Sequence, residues 1–212
     1  SPSRILQTIT FLSSTICKDV LANPIVYQVD PQKEAIEIDA HLDEDAWKNA
    51  EMVDQFLRYI PDQGGSPPGS TSVQLLQDDQ NLYIGVIVTG VDYDLQARIA
   101  PRERINDDDQ IGVYIDPQGD GRGGYIFYFN PFGIQQDTLY ANGNWYGPWK
   151  AILYTEGRIT DNGYVLEIAI PFRSIRYTTD AQWKMLFTRK IPSEGTKYGY
   201  PQMQRNHPRM LT

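Results

Sequence analysis

From about Asn23 onward, short apolar runs alternate with turn residues, and the spacing of hydrophobic positions is that of strands rather than helices. Residues 71–77 read as a strand and Asp78-Asp79-Gln80-Asn81 as a turn. The run 82–89, apolar on both faces, reads as the central strand that completes the hairpin. Residues 110–116 point Ile111, Val113 and Ile115 inward and Gly112, Tyr114 and Asp116 outward; after a Gly-rich turn, 125–129 answers as a second hairpin. Further strands are predicted at 135–140, 150–155, 164–170 and 183–189, each bounded by Gly, Pro, Asn or Asp. This pattern predicts an all-β fold: a two-sheet, mostly antiparallel β-sandwich, jelly-roll-like, with one or two short helices. One helix is expected over 44–51, capped by Asp43 and burying Trp47 and Ala50 on one side. A helical turn is expected from Pro171 to Ile175, and an exposed loop over 64–69.

Composition agrees with a folded β domain. The 212 residues are 41% hydrophobic and 12% aromatic, with 14 Tyr against 4 Met, which suits sheets. The net charge is -8 and the basic residues gather into nothing longer than pairs such as Arg189-Lys190, so a footprint for phosphate backbones is missing. Nucleic acid is not an expected partner. A single cysteine, Cys17, excludes an intrachain disulfide and a multi-thiolate metal site. The two histidines, His41 and His207, sit in no spacing that suggests zinc or a nucleophile's base.

The chain divides into a leader-like segment, 1–26, a domain, 27–192, and a final stretch, 193–212, read as the start of a following region. In the first segment Arg4 precedes a moderately apolar stretch, and Val20-Leu21-Ala22 offers a signal-peptidase site. Gln7, Thr8, Thr10 and Ser13 interrupt that stretch, and the residues before Cys17 lack a lipid-attachment pattern. The expected location is extracytoplasmic: periplasm, outer membrane or secreted. No run reaches the roughly 20 apolar residues of a membrane span.

Four phrases, in order, resemble family 9 carbohydrate-binding modules. They are Ile38-Asp39-Ala40-His41-Leu42-Asp43-Glu44-Asp45-Ala46-Trp47, the strand pair around Asp78 to Gly85, Asp108 to Pro117 with Tyr125 to Gly133, and Gly163 to Phe172. In the opening phrase Ala40 stands where the family usually has Gly. The resemblance implies a β-sandwich that binds oligo- or polysaccharide without catalysis. With Asp120-Gly121-Arg122 and Pro171 to Arg176, it is similar to the domain at the amino terminus of bacterial outer-membrane-associated barrel proteins. That likeness implies a second partner, the carboxy-terminal barrel region of the same parent protein. The alternative function is a structural or interaction module that has lost sugar binding and docks on that barrel.

Sugar recognition needs flat aromatic faces beside planar polar groups. Trp145, Tyr146 and Trp149, with Asn142 and Asn144, supply both in one loop, although Trp149 equally suits the interior. Arg98 and Arg102 could add rigid forks of donors, or belong to a solvated charged loop. Calcium is the ion that the oxygen-rich donor set would suit, with Asp107, Asp108, Asp116 and Asp120 as candidate ligands or else as hydrogen-bonded turn carboxylates. A glycosidase needs only two carboxylates, but no acid lies in a motif tied to such a site. Glu167, in the last of the four phrases, is implied by the resemblance to hold a structural position. A haem-binding relative would have only the methionines and two histidines as ligands.

Overall fold

The computed structural model describes residues 7–11, 25–29, 31–33, 35–141, 144–147, 149–178 and 181–203. Within them the chain forms β1 (Gln7–Phe11), β2 (Ile25–Val29), β3 (Glu51–Val53), β4 (Leu57–Ile60), β5 (Ser70–Gln77), β6 (Asn81–Thr89) and β7 (Gln110–Asp116). It continues with β8 (Gly123–Phe129), β9 (Gln135–Ala141), β10 (Asn144–Tyr146), β11 (Tyr154–Thr160), β12 (Gly163–Pro171), β13 (Trp183–Ile191) and β14 (Thr196–Tyr200). A nine-stranded sheet runs β10-β9-β8-β7-β13-β1-β2, with β14 also beside β13 and β4 beyond it; a five-stranded sheet runs β11-β12-β6-β5-β3. Every neighbouring pair of these strands is antiparallel except β1 on β13. The predicted sandwich and both predicted hairpins are present.

The core forms where the alternating apolar positions of the two sheets meet. Val73, Leu75, Ile84, Val86, Leu166 and Ile168 of the smaller sheet face Ile111, Val113, Ile115, Phe127, Phe129 and Phe187 of the larger one. Each such burial is worth about 1.5–3 kcal/mol. In the middle lies a cation, Arg189, fully buried. Its guanidinium donates to the Pro68 carbonyl (3.1 Å), the Thr71 hydroxyl (2.7 Å) and the Tyr93 hydroxyl (3.1 Å). Tyr93 in turn donates to Asp109 (2.7 Å), so a charge and its counterion are joined through a phenol, and the crossing between β6 and β7 is tied to both sheets.

The outer faces are covered too, and this corrects the expectation for β7. Its second face was read as solvent-facing, yet all seven residues are buried. Tyr114, Ile126 and Leu186 on that face pack with Tyr59 from β4 and Met203 from beyond β14. On the far side, Trp47, Leu76, Tyr83 and Ala169 form another cluster under residues 36–50. Gly85 makes room for it: a Cβ there would lie 2.7 Å from a Leu42 methyl and 3.0 Å from the Trp47 ring. Glu167 pins the same segment, accepting the backbone N–H groups of Asp39 (3.0 Å) and Ala40 (2.9 Å). Ala40 has φ 62°, the left-handed conformation that costs a non-glycine residue about 1–2 kcal/mol.

Two further readings are revised. The predicted 44–51 helix is a 3-10 turn, Asp45–Asn49, without a side-chain cap; Glu44 instead accepts the Glu37 N–H at 2.9 Å, and Glu51 already belongs to β3. Trp47 is nevertheless buried as expected, and the turn after Pro171 is present at Phe172–Ser174. The strand expected at 150–155 begins only at Tyr154, because 149–153 crosses from one sheet to the other and Trp149, Ala151 and Leu153 fill the side of the core instead of pairing. Strands also join from both flanks of the 27–192 range. β14 pairs with β13 and β4, and β1 comes from the leader-like segment and pairs with β2 and β13.

Candidate functional site

The aromatic residues singled out in the sequence separate into two environments. Trp145 lies on the edge strand β10, directly opposite Tyr140 on β9, so both side chains rise from the same face of the sheet. Their ring centroids are 5.0 Å apart at an interplanar angle of 54°, and Trp145 remains 54% exposed. The two rings make an open corner at the end of the larger sheet. Tyr146 is exposed beside it, as is Asn144, while Asn142 lies outside the described residues. Trp149 turns the other way, half-buried against the core, with its ring 4.9 Å from Tyr125 and 6.0 Å from Phe127. Tyr140 was missed in the sequence; the Asn142-Gly143 pair between it and Trp145 is a hairpin signal that sets the two opposite each other.

The two arginines hold loops in place. Arg98 Nε donates to Asp108 Oδ1 at 2.8 Å, and its guanidinium lies 3.6 Å from Asp107. Arg102 donates to the buried Asp137 at 2.7 Å and to the Ala151 carbonyl at 3.1 Å, with part of its fork still facing solvent.

The candidate calcium ligands do not converge. Asp107 and Asp108 precede β7 and Asp116 ends it, so about 20 Å of extended strand separates the pairs. Asp116 is fully buried and accepts the backbone N–H groups of Gln118 (3.0 Å), Gly119 (2.9 Å) and Gly121 (2.7 Å). Asp120 accepts that of Arg122 at 2.9 Å, and Asp108 accepts from Arg98 and from Asn130 at 2.9 Å. Among the described residues no group of three or more His, Cys, Asp or Glu side chains is arranged to hold a metal ion. These carboxylates anchor turns and loops, and the four do not converge on one calcium site.

Among the described residues, two of the cavities that open on the surface bear on ligand binding. One, of about 590 Å³, lies between Asp54, Ser66, Pro67 and Gln202, where the nearby aromatics Phe56 and Tyr200 are buried. The other, of about 580 Å³, lies among Arg102, Phe132, Gln135, Tyr154 and Glu156. Tyr154 is 50% exposed.

A two-sheet β-sandwich that displays an aromatic corner at its edge is the architecture of a surface-binding module. The chain belongs to the family described as carbohydrate family 9 binding domain-like, whose model matches residues 38–199; the modules of this family are non-catalytic. Among solved structures, it is similar to a family 9 carbohydrate-binding module from Caldicellulosiruptor kristjanssonii in complex with cellotriose. That match has 15% identity and a TM-score of 0.59, and covers 86% of this chain and 90% of that one. It is also similar to a putative carbohydrate-binding protein from Bacteroides uniformis ATCC 8492, at 15% identity and a TM-score of 0.52, covering 74% and 83%. At such identity these likenesses show the fold. No curated protein sequence matches the chain.

Proposed function

We propose that this carbohydrate-binding module takes oligo- or polysaccharide on the Trp145–Tyr140 corner and thereby holds a larger exported protein, outside the cytoplasm, on glycan. The observation that carries the reading is the corner itself: an indole more than half exposed, braced by a second ring at 5.0 Å on a paired strand. Leaving such a surface in water is unfavourable, and the C–H face of a pyranose is a complementary cover for it. The cellotriose bound to the Caldicellulosiruptor module supports a β-linked glucan as the first ligand to try.

A second reading, docking on a carboxy-terminal barrel of the parent protein, is favoured by one observation. Met203, from the segment after β14, packs onto the outer face of the larger sheet, so the chain's own carboxy-terminal side already serves as a cover there.

Isothermal titration against cello-, xylo- and acidic oligosaccharides decides between them. Trp145→Ala should weaken binding about tenfold or more, as expected for loss of roughly 1.4 kcal/mol of ring contact, without lowering thermal stability. Silence at millimolar sugar would turn the assignment to the docking reading, and a variant that binds as well as the parent would take the sugar away from the Trp145 corner.

A further inference from the structure

We infer that the cavity beside β11 is a second saccharide site, separate from the Trp145 corner and built for one uncharged pyranose unit. The inference rests on the carbohydrate-binding reading above and adds a location, a set of contacts and a ligand class.

The cavity is assembled by residues distant in sequence. Tyr154 and Glu156 are two apart on β11 and therefore project to the same side, beside Ile38 of the covering segment. Facing them are Phe132 from the turn between β8 and β9, Gln135 at the start of β9, and Arg102. Its volume, about 580 Å³, falls within the range of roughly 300–1,000 Å³ usual for small-molecule sites. A half-exposed phenol, a planar guanidinium with free donors and a carboxylate acceptor are the groups that bind a ring carrying hydroxyls on its edge and C–H bonds on its face.

The walls are fixed before any ligand arrives. Asn130, fully buried, spends its amide on both sides of the turn. Its Oδ1 accepts the backbone N–H groups of Phe132 (3.1 Å) and Ile134 (2.9 Å), while its Nδ2 donates to the Arg98 carbonyl (2.8 Å) and Asp108 (2.9 Å). The turn is then pressed onto β11: Thr155 donates to the Gly133 carbonyl at 2.7 Å, and a Cβ on Gly133 would sit 2.9 Å from the Glu156 backbone. Gly133 has φ 74°, which a side chain would also oppose. Opposite, the buried Asp137 accepts from Arg102 (2.7 Å), the Ala151 N–H (2.7 Å) and Gln135 (2.5 Å). Arg102 is thus held by one edge of its guanidinium. A site whose turn, guanidinium and Gln135 amide are held by buried partners loses less entropy on binding, the cost being confined to the exposed Tyr154 and Glu156 side chains.

Charge selects the ligand class. The positive charge of Arg102 is already answered by Asp137, which leaves Glu156 as the uncompensated charge at the rim. A uronic acid would bring its carboxylate toward that surplus, whereas a neutral sugar meets only hydrogen-bonding groups.

The test is an amide NMR titration of the full chain with cellotriose, xylotriose and tri-galacturonate, repeated on Trp145→Ala and Tyr154→Ala. A neutral trisaccharide should shift the amides of 132–135 and 154–156 saturably. Those shifts should persist in Trp145→Ala, and their Kd should rise about tenfold in Tyr154→Ala, whose exposed ring can be removed without unfolding the chain. Tri-galacturonate should leave the same amides in place. Loss of every shift in Trp145→Ala would overturn the second site and leave the module reading standing, as would an unchanged Kd in Tyr154→Ala. Tighter binding of tri-galacturonate at these amides would overturn the ligand class, and silence to all three sugars would remove both readings.

Discussion

Glu167 makes the stability of this protein depend on pH in a direction opposite to most acidic groups. Its residue is 0% exposed; Oε2 accepts the N–H groups of Asp39 and Ala40, while Oε1 finds no protein donor. Burial pushes its carboxyl from 4.5 up to about 7. The two N–H groups pull against that shift, while the negative charges of Glu44 and Asp39 add to it. Around it stand Glu156, its register partner on β11, and Arg158, whose Nε donates to the Ala40 carbonyl at 3.2 Å. On the covering segment lie Asp39, His41 and Glu44, and the facing position on β6 is Gly85, which carries no charge. Because folding makes the acid harder to ionise, the native state keeps a proton that the unfolded chain releases between pH 4.5 and about 7. The stabilisation is complete below pH 4.5 and is lost as pH rises through 7. At about 1.4 kcal/mol per pH unit, the gap amounts to roughly 3 kcal/mol. Glu167→Gln keeps an oxygen for both N–H groups and removes the charge, at a cost of about 1 kcal/mol for an amide NH2 at the Oε1 position, which has no hydrogen-bond partner among the described residues. Urea unfolding should therefore place the variant within about 1 kcal/mol of the parent at pH 5 and about 2 kcal/mol above it at pH 8. A difference between the two proteins that is the same at both pH values would refute the reasoning.

Two further outcomes follow from the anchors of the loops. Asn130→Ala removes four hydrogen bonds inside the protein and should cost about 3 kcal/mol, a fall in Tm of roughly 6–12 °C by calorimetry. A loss below about 1 kcal/mol would mean that the turn between β8 and β9 holds itself. EDTA should leave Tm unchanged, because Asp116 is already saturated by three backbone N–H groups; a drop of about 5 °C or more would place a cation at that turn.

The strands at 71–89 and 110–129 were legible because alternation and turn chemistry agree there, and a slip of one residue would turn every core side chain outward. The outer face of β7 was not, since alternation says which residues share a face and not whether another part of the chain covers it. Tyr59 and Met203, 55 and 89 residues from Tyr114, provide that cover. Residues 149–153 failed for a related reason: a run that plugs the side of a sandwich has the same apolar spacing as one that pairs. At the site, Trp145 was legible as a surface aromatic, whereas only register puts Tyr140 opposite it. The four aspartates looked like a cluster because they lie within fourteen positions, from Asp107 to Asp120, but the strand between them holds the pairs apart.

The placement of both proposed sites follows from this covering of faces. Each sheet has its inner face in the core and much of its outer face under a second apolar cluster, so the broad faces offer little open aromatic surface. What remains is the side where β10 ends one sheet and β11 ends the other. The exposed Trp145, Tyr146, Ile152 and Tyr154 all lie on the stretch that joins those two edges. An edge presents two or three side chains and not a long track, so contact with a sugar unit or two is favoured over a glycan laid along a sheet. Single contacts of that size bind weakly, and two of them on one domain gain by linkage, the second contact forming at the high effective concentration set by the first. The separation of the Trp145 corner from the β11 cavity would then matter as much as either site: a chain too short to reach both should bind each independently, and a longer one should bind more tightly than either contact alone.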